Sequence, residues 1–331
     1  MLAVGSCGAF VAIAEPLTIV LLRRVAAMDV PNQRSSHTIA TPRGGGAPIA
    51  VGLTALAVLA GGSAAAAFAL AVGAFGAIGF ADDLAGLSIG RRLILQAAAS
   101  IAASIALARQ VTVPQAMVAG AAVVIAVWLA AFVNVFNFMD GVNGIAGVHA
   151  AIGGAAYACL GLLRSNEFLI AAGGAVAAGA LAFLPWNAVR ARVFLGDVGS
   201  YALGAALAVL AVRATILGIP AEATFGPLAL FLADASWTLQ RRIRAGEPWL
   251  HAHRTHIYQQ WCDLGWSHQR VTVLTAAGTL LLCLLGMVSL RAGIVIRAGA
   301  DAAALGILAA YLGSSALIGR AAKAALLAER A

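Results

Sequence analysis

Long apolar runs separated by short polar clusters most limit what this chain can fold into. Each run is about 17–22 residues, the length at which a helix crosses a hydrocarbon core. They cover 2–22, 47–63, 65–81, 93–109, 116–136, 145–163, 168–185, 201–218, 220–238, 271–290 and 293–316. The expected fold is therefore all-α, a polytopic membrane protein with about eleven transmembrane helices. Only 10% of the 331 residues are charged, against about 25% in soluble domains. No polar stretch is long enough for a separate core, so one membrane domain over 1–331 is expected. The pair 47–63 and 65–81 is joined only by Gly61, Gly62 and Ser63, the weakest turn signal in the chain.

Charge orients the bundle. The first run has no basic residue before it and Arg23-Arg24 after it, the reverse of a signal peptide, and reads as a permanent span with its N-terminus outside. The cytoplasmic segments are then 23–46, 82–92, 137–144, 186–200, 239–270 and the C-terminal tail. They hold sixteen of the 21 lysines and arginines, as the positive-inside rule requires. The net charge of +8 is spread over these short loops, so it points to membrane orientation and phosphate binding and not to nucleic acid. Cys7, Cys159, Cys262 and Cys283 have neither disulfide nor metal spacing.

The same parity gathers five polar clusters on the cytoplasmic face: 31–46, 82–96, 134–147, 187–200 and 241–260. Asp82-Asp83 close the third run. Adjacent carboxylates on a helix point about 100° apart, so each is free for its own task, proton acceptor or metal partner. A water-exposed helix stop is the plainer reading. Asn134, Asn137, Asp140 and Asn143 recur every third residue and form a slowly turning polar stripe. Amides also glue membrane helices together, which accounts for the asparagines but not for Asp140. In Phe194-Leu195-Gly196-Asp197-Val198-Gly199-Ser200, one carboxylate sits between glycines before a span. Ser200 is suited to cap that helix, and the helix start to attract phosphate. Mg²⁺ held by Asp197 and bridging a pyrophosphate fits there; so does an ordinary turn.

The last cluster carries His251, His253, Arg254 and His256 among arginines and aromatics. The spacing is not that of a zinc pair-of-pairs, and contact with a pyrophosphate or nucleotide suits it better. Arg34, His37 and Arg43 beside Gly44-Gly45-Gly46 form a weaker phosphate-binding signal.

Together, in this order and on one membrane side, these motifs resemble the polyprenyl-phosphate N-acetylhexosamine-1-phosphate transferase superfamily, glycosyltransferase family 4. The stretches 29–46 and 251–260 are most similar to its O-antigen-initiating branch. The peptidoglycan branch has lysines near its acidic motifs, whereas the one lysine here is Lys323. The resemblance implies transfer of a sugar phosphate from a UDP-N-acetylhexosamine (GlcNAc, FucNAc or QuiNAc) to undecaprenyl phosphate, with release of UMP, at the bacterial cytoplasmic membrane. It implies catalytic duty for Asp82, Asp83 and Asp140, and Mg²⁺ or Mn²⁺ on Asp197 and Asp82. Substrate contacts are expected from Asn187, Asn137, Asn143, Arg254, His251, His253, His256, Arg34 and His37. Asn143 departs from the family, which has an acid there; an amide can coordinate but cannot act as a base. Gly-rich spans permit a homodimer. Two other classes are an inactive scaffold of polysaccharide assembly and a membrane transporter.

Overall fold

The computed structural model describes residues 2–31, 39–248 and 253–328. The chain is built from α1 (Leu2–Arg24), α2 (Ala47–Ala60), α3 (Gly62–Ala85), α4 (Ile89–Ala108), α5 (Gln115–Phe138), α6 (Ile145–Leu163), α7 (Glu167–Asn187), α8 (Gly196–Ile216), α9 (Ala221–Phe225), α10 (Ala229–Arg244), α11 (Ile257–Asp263), α12 (His268–Val288) and α13 (Ile294–Ala328). Among the described residues, nine helices are long and apolar enough to cross a membrane: α1, α3 to α8, α12 and α13. The expected run 47–63 is the shorter apolar helix α2, of 14 residues.

The run expected at 220–238 is not one helix. It breaks into α9, a 3-10 turn at Gly226–Leu228, and α10. Pro227 offers no backbone N–H and so cannot continue an α-helical ladder. Beyond the break, α10 mixes apolar residues with Asp234, Thr238 and Gln240 and ends on Arg241, Arg242 and Arg244. It has a buried and a polar face where a lipid-facing span would be apolar all round.

The axis of the bundle is α8, buried without interruption from Val198 to Val212. A helix apolar on every side belongs in the middle of others, and α3, α5, α2, α6 and α7 surround it. Small residues let these helices approach closely. Gly79 of α3 lies so close to the Asp197 carbonyl that an added Cβ would overlap it. That contact brings the end of α3 against the start of α8.

One small sheet departs from the helical pattern. Between α1 and α2, β1 (Met28–Asp29) pairs antiparallel with β2 (Thr41–Pro42). Next to it Arg43 bridges Phe194 in parallel, and the Phe194 carbonyl accepts from the backbone N–H of Gly44 and Gly45. The glycine run before α2 is thus stitched to the segment before α8.

Candidate active site

Asp82, Asp83, Asp140, Asp197 and Asn137 come together at one end of the bundle. Asp83 lies deepest. Its Oδ1 accepts the Asp197 N–H and its Oδ2 the Val198 N–H, both at 3.0 Å. Arg43 Nε stands 3.0 Å from Oδ1. A carboxylate here satisfies the free N–H groups of the first turn of α8 and faces the positive end of its dipole. Gly196 makes the fit possible: its φ is +74°, and a Cβ would lie 2.5 Å from Asp83 Oδ2. The start of α8, expected from sequence to attract a phosphate, is already held by this side chain. Nor does Ser200 cap that helix. α8 begins at Gly196, and Ser200 sits inside it, accepting a hydrogen bond from Asn137.

Asp82 is also buried. Its Oδ1 accepts the Leu87 N–H at 2.8 Å, and its Oδ2 pairs with Arg92 Nη1 at 3.3 Å. Ser88 caps α4 beside it and fixes the turn that delivers Arg92. Asp197 is more open, its side chain 23% exposed. Asn137 Nδ2 donates to its Oδ1 at 2.8 Å, and Arg43 Nη2 lies 4.0 Å from its Oδ2. Asp140 follows the end of α5 and is half-buried. The protein packed around it, and then the charges of Asp197 and Asp83, push its carboxyl well above the usual carboxylate range. Three of the four carboxylates, Asp82, Asp83 and Asp197, thus face two guanidinium groups, Arg43 and Arg92. Among the described residues, no three His, Cys, Asp or Glu side chains form a ready-made metal cage. The donor set instead fits a cation that takes few protein oxygens and completes its shell elsewhere, and Asp197 and Asp140 are the carboxylates best placed to reach it.

Asn187 holds backbone on both sides of its amide. Its Oδ1 accepts the Gly144 N–H at 2.7 Å, and its Nδ2 donates to the Val193 carbonyl at 3.0 Å. It ties the turn after Asp140 to the segment before α8. The Asn143 backbone is fixed as well: its N–H points to His268 Nδ1 at 3.4 Å, and its carbonyl accepts from Thr272 at 2.8 Å. Beside it opens a cavity of about 570 Å³, lined by Asn143, Phe194, Arg23, Arg190, Arg192 and His268 among others. Arg192 also packs over the Trp186 ring, 5.7 Å from its centroid. This basic cavity adjoins the acidic cluster across Phe194.

The late segment docks on the other flank. Tyr258 donates to the Phe138 carbonyl at 2.9 Å, and the His256 ring lies 6.2 Å from that of Phe138. His253 stacks on His256 with centroids 5.0 Å apart. Burial, then the neighbouring His256, Arg242 and Arg241, hold His253 down at about 4 against an opposing Asp234. Arg254 pairs with Asp263 of α11 at 3.0 Å. Arg34, His37 and His251 lie outside the described residues.

Sequence reading missed two residues. Arg92 was counted for membrane orientation alone, although its place ten residues after Asp82 lets one tight turn return it to that carboxylate. Asp234 was absorbed into an expected apolar span. It is fully buried, and an acid inside such a run was the signal that it has a partner.

The glycosyl transferase family 4 pattern matches residues 65–215, which include all four acids of the cluster. The chain is 28% identical over 278 residues to a probable undecaprenyl-phosphate N-acetylglucosaminyl 1-phosphate transferase of Bacillus subtilis (strain 168), covering 80% of this chain and 77% of that protein. It is 29% identical over 306 residues to the decaprenyl-phosphate N-acetylglucosaminephosphotransferase of Mycobacterium leprae, covering 79% and 76%. It is 35% identical over 159 residues to the phospho-N-acetylmuramoyl-pentapeptide-transferase of Bacillus pumilus, covering 46% of this chain and 47% of that one.

Proposed function

The chain belongs to glycosyl transferase family 4, the polyprenyl-phosphate N-acetylhexosamine-1-phosphate transferases, and from that premise we propose that it is a phosphotransferase moving N-acetylhexosamine-1-phosphate from a UDP-sugar to undecaprenyl phosphate. An oxygen of the lipid phosphate attacks the phosphorus that bears the sugar. One P–O–P linkage forms as another breaks, and the electron pair leaves on the oxygen of UMP. The observation that carries this reading is the juxtaposition of an acidic cluster with a basic cavity at one end of an apolar bundle.

Phosphoryl transfer asks the protein mainly for position and charge neutralisation. In this assignment the cavity takes the nucleotide, its phosphates meeting Arg190 and Arg192 and its base meeting Phe194 and Asn143. The lipid phosphate arrives laterally at the headgroup level, beside Asp82 and Arg92. Asp82 receives or orients its proton, with Arg92 holding that carboxylate in place. Asp83 positions: it locks α8 so that Asp197 points outward, and Arg43 ties the two acids together. Mg²⁺ on Asp197 and Asp140 would neutralise the pyrophosphate oxygens, with Mn²⁺ as a substitute. Asp82, with its oxygens on Leu87 and Arg92, is the less suited ligand.

GlcNAc is the favoured sugar, because the relatives matched over about three-quarters of their length carry N-acetylglucosamine in their names. The match to a muramoyl-pentapeptide transferase covers less than half. The arginines of the loops at this end favour the cytoplasmic face of the inner membrane for the site. The step would begin O-antigen or another envelope polysaccharide. The test uses detergent-purified protein with undecaprenyl phosphate, Mg²⁺ and a panel of UDP-N-acetylhexosamines, following UMP and lipid-linked sugar with and without EDTA. Product from one donor, lost on chelation, is expected. Folded protein that turns over no donor would sink the reading.

A further inference from the structure

Away from the acidic cluster, Asp234 of α10 is a carboxylate with no access to solvent, and it accepts from four donors. Its Oδ1 meets His256 Nδ1 at 2.9 Å and the Thr238 hydroxyl at 3.1 Å. Its Oδ2 accepts from the Tyr311 hydroxyl at 2.6 Å, and the Ile257 N–H reaches both oxygens at 3.2 and 3.1 Å. Three elements converge on it: α10, the start of α11, and α13. The anchor is reinforced where Trp261 of α11 donates to Ser314 of α13 at 2.8 Å.

A carboxylate only accepts, so the ring proton facing Asp234 must sit on Nδ1 of His256. That choice leaves Nε2 as the nitrogen of the neutral ring that carries a lone pair. The ring lies against Phe138, two residues before Asp140. A ring in that place has to present a defined nitrogen if it is to meet substrate, and an imidazole alone exchanges its tautomers freely.

We propose that Asp234 is a positioning residue for the transfer reaction, fixing His256 in its Nδ1–H tautomer and holding it at the Asp140 turn. The inference rests on the reaction assigned above, together with the substrate contact that the sequence resemblance implies for His256. A purely mechanical anchor would need neither the carboxylate charge nor contact with the imidazole. The Ile257 N–H and the Tyr311 hydroxyl are satisfied equally well by an amide oxygen.

That difference supplies the experiment. In Asp234→Asn the amide oxygen still accepts from Ile257 and Tyr311, while its NH₂ donates to Nδ1 and drives the proton to Nε2. Histidine-labelled protein in proteoliposomes at pH 8, with the resonance assigned through His256→Gln, reads the tautomer by ¹⁵N NMR without any substrate. The expected result is Nδ1–H in the wild type and Nε2–H in Asp234→Asn. Turnover should fall about 10²-fold or more with KM little changed. The double variant Asp234→Asn/His256→Gln should be no slower than His256→Gln. Tyr311→Phe, which removes a donor but keeps the tautomer, should lower the melting temperature and leave kcat within about threefold. An Nε2–H wild type, independent losses in the double variant, or a Tyr311→Phe loss as large as that of Asp234→Asn would overturn the proposal. The tautomer reports on the pairing even if the donor sugar is misassigned, so the two readings fail separately.

Discussion

Arg43 does more than balance charge. It reaches Asp83 Oδ1 at 3.0 Å, Asp197 Oδ2 at 4.0 Å and the Asp82 carbonyl at 3.4 Å, so one planar fork spans three acidic positions. Lysine carries the same charge as a point and cannot span them. Arg43→Lys should therefore fold normally and lose about 10²-fold in kcat, the scale of removing one oriented charge-stabilising group. Steady-state UMP release beside a thermal melt checks both halves. Asp140 gives the opposite pairing of effects. Its carboxyl is raised by burial and by Asp197 and Asp83, so the folded protein keeps a proton that the unfolded chain releases near pH 4. Stability then falls as pH rises from the unfolded value through the raised one. Asp140→Asn should melt higher than the wild type at pH 7–8, converge with it near pH 4, and be inactive. Scanning fluorimetry across pH reads the convergence.

At the scale of elements, the late segment is a clamp whose docking depends on an uncharged His253. That ring titrates at about 4, held down by burial and then by His256, Arg242 and Arg241. The unfolded segment takes up a proton near pH 6.5. Docking is thus fully favoured above that value and weakens as pH falls toward 4. Protease cleavage within 253–263 should accelerate on acidification from pH 7 to 5, and His253→Gln should flatten that acid-side rise. Most elements were legible before the structure, because span length and polar interruption are one-dimensional signals. Runs such as 145–163 coincide with their helices. The break at Gly226-Pro227 was hidden because its flanks are apolar enough to pass as one run. The acids were legible as a set, but their division of labour was not. Asp82 and Asp83 are neighbours in sequence, yet one is bound by Arg92 and the other caps a helix 114 residues away. Nothing local encodes that second contact. It follows from Gly79 bringing α3 against α8 and from the positive φ of Gly196 aiming two N–H groups at the carboxylate.

At the scale of the whole molecule, opposite charges lie side by side at one end of an apolar bundle. An acidic cluster alone would repel both phosphate substrates, and a basic cavity alone would bind a nucleotide without activating it. Under the proposed reaction, placing them together across Phe194 would separate binding from chemistry, and that separation is measurable. Arg190 and Arg192 are exposed on the rim of the cavity and make no contact with the four acids in the described structure. Their loss should weaken ground state and transition state alike, which raises KM and spares kcat. A charge-assisted hydrogen bond contributes about 1.5–3 kcal/mol, and exposure at the rim brings each arginine toward the lower end, about tenfold in affinity. Arg190→Gln and Arg192→Gln should each raise KM for the nucleotide sugar about tenfold while KM for the lipid phosphate stays unchanged. Raising the salt concentration should mimic the effect in the wild type and less so in the variants, because exposed charges are screened. If either substitution instead lowered kcat at saturating nucleotide sugar, the cavity and the acidic cluster would act as one site, and the nucleotide would have to lie over the acids.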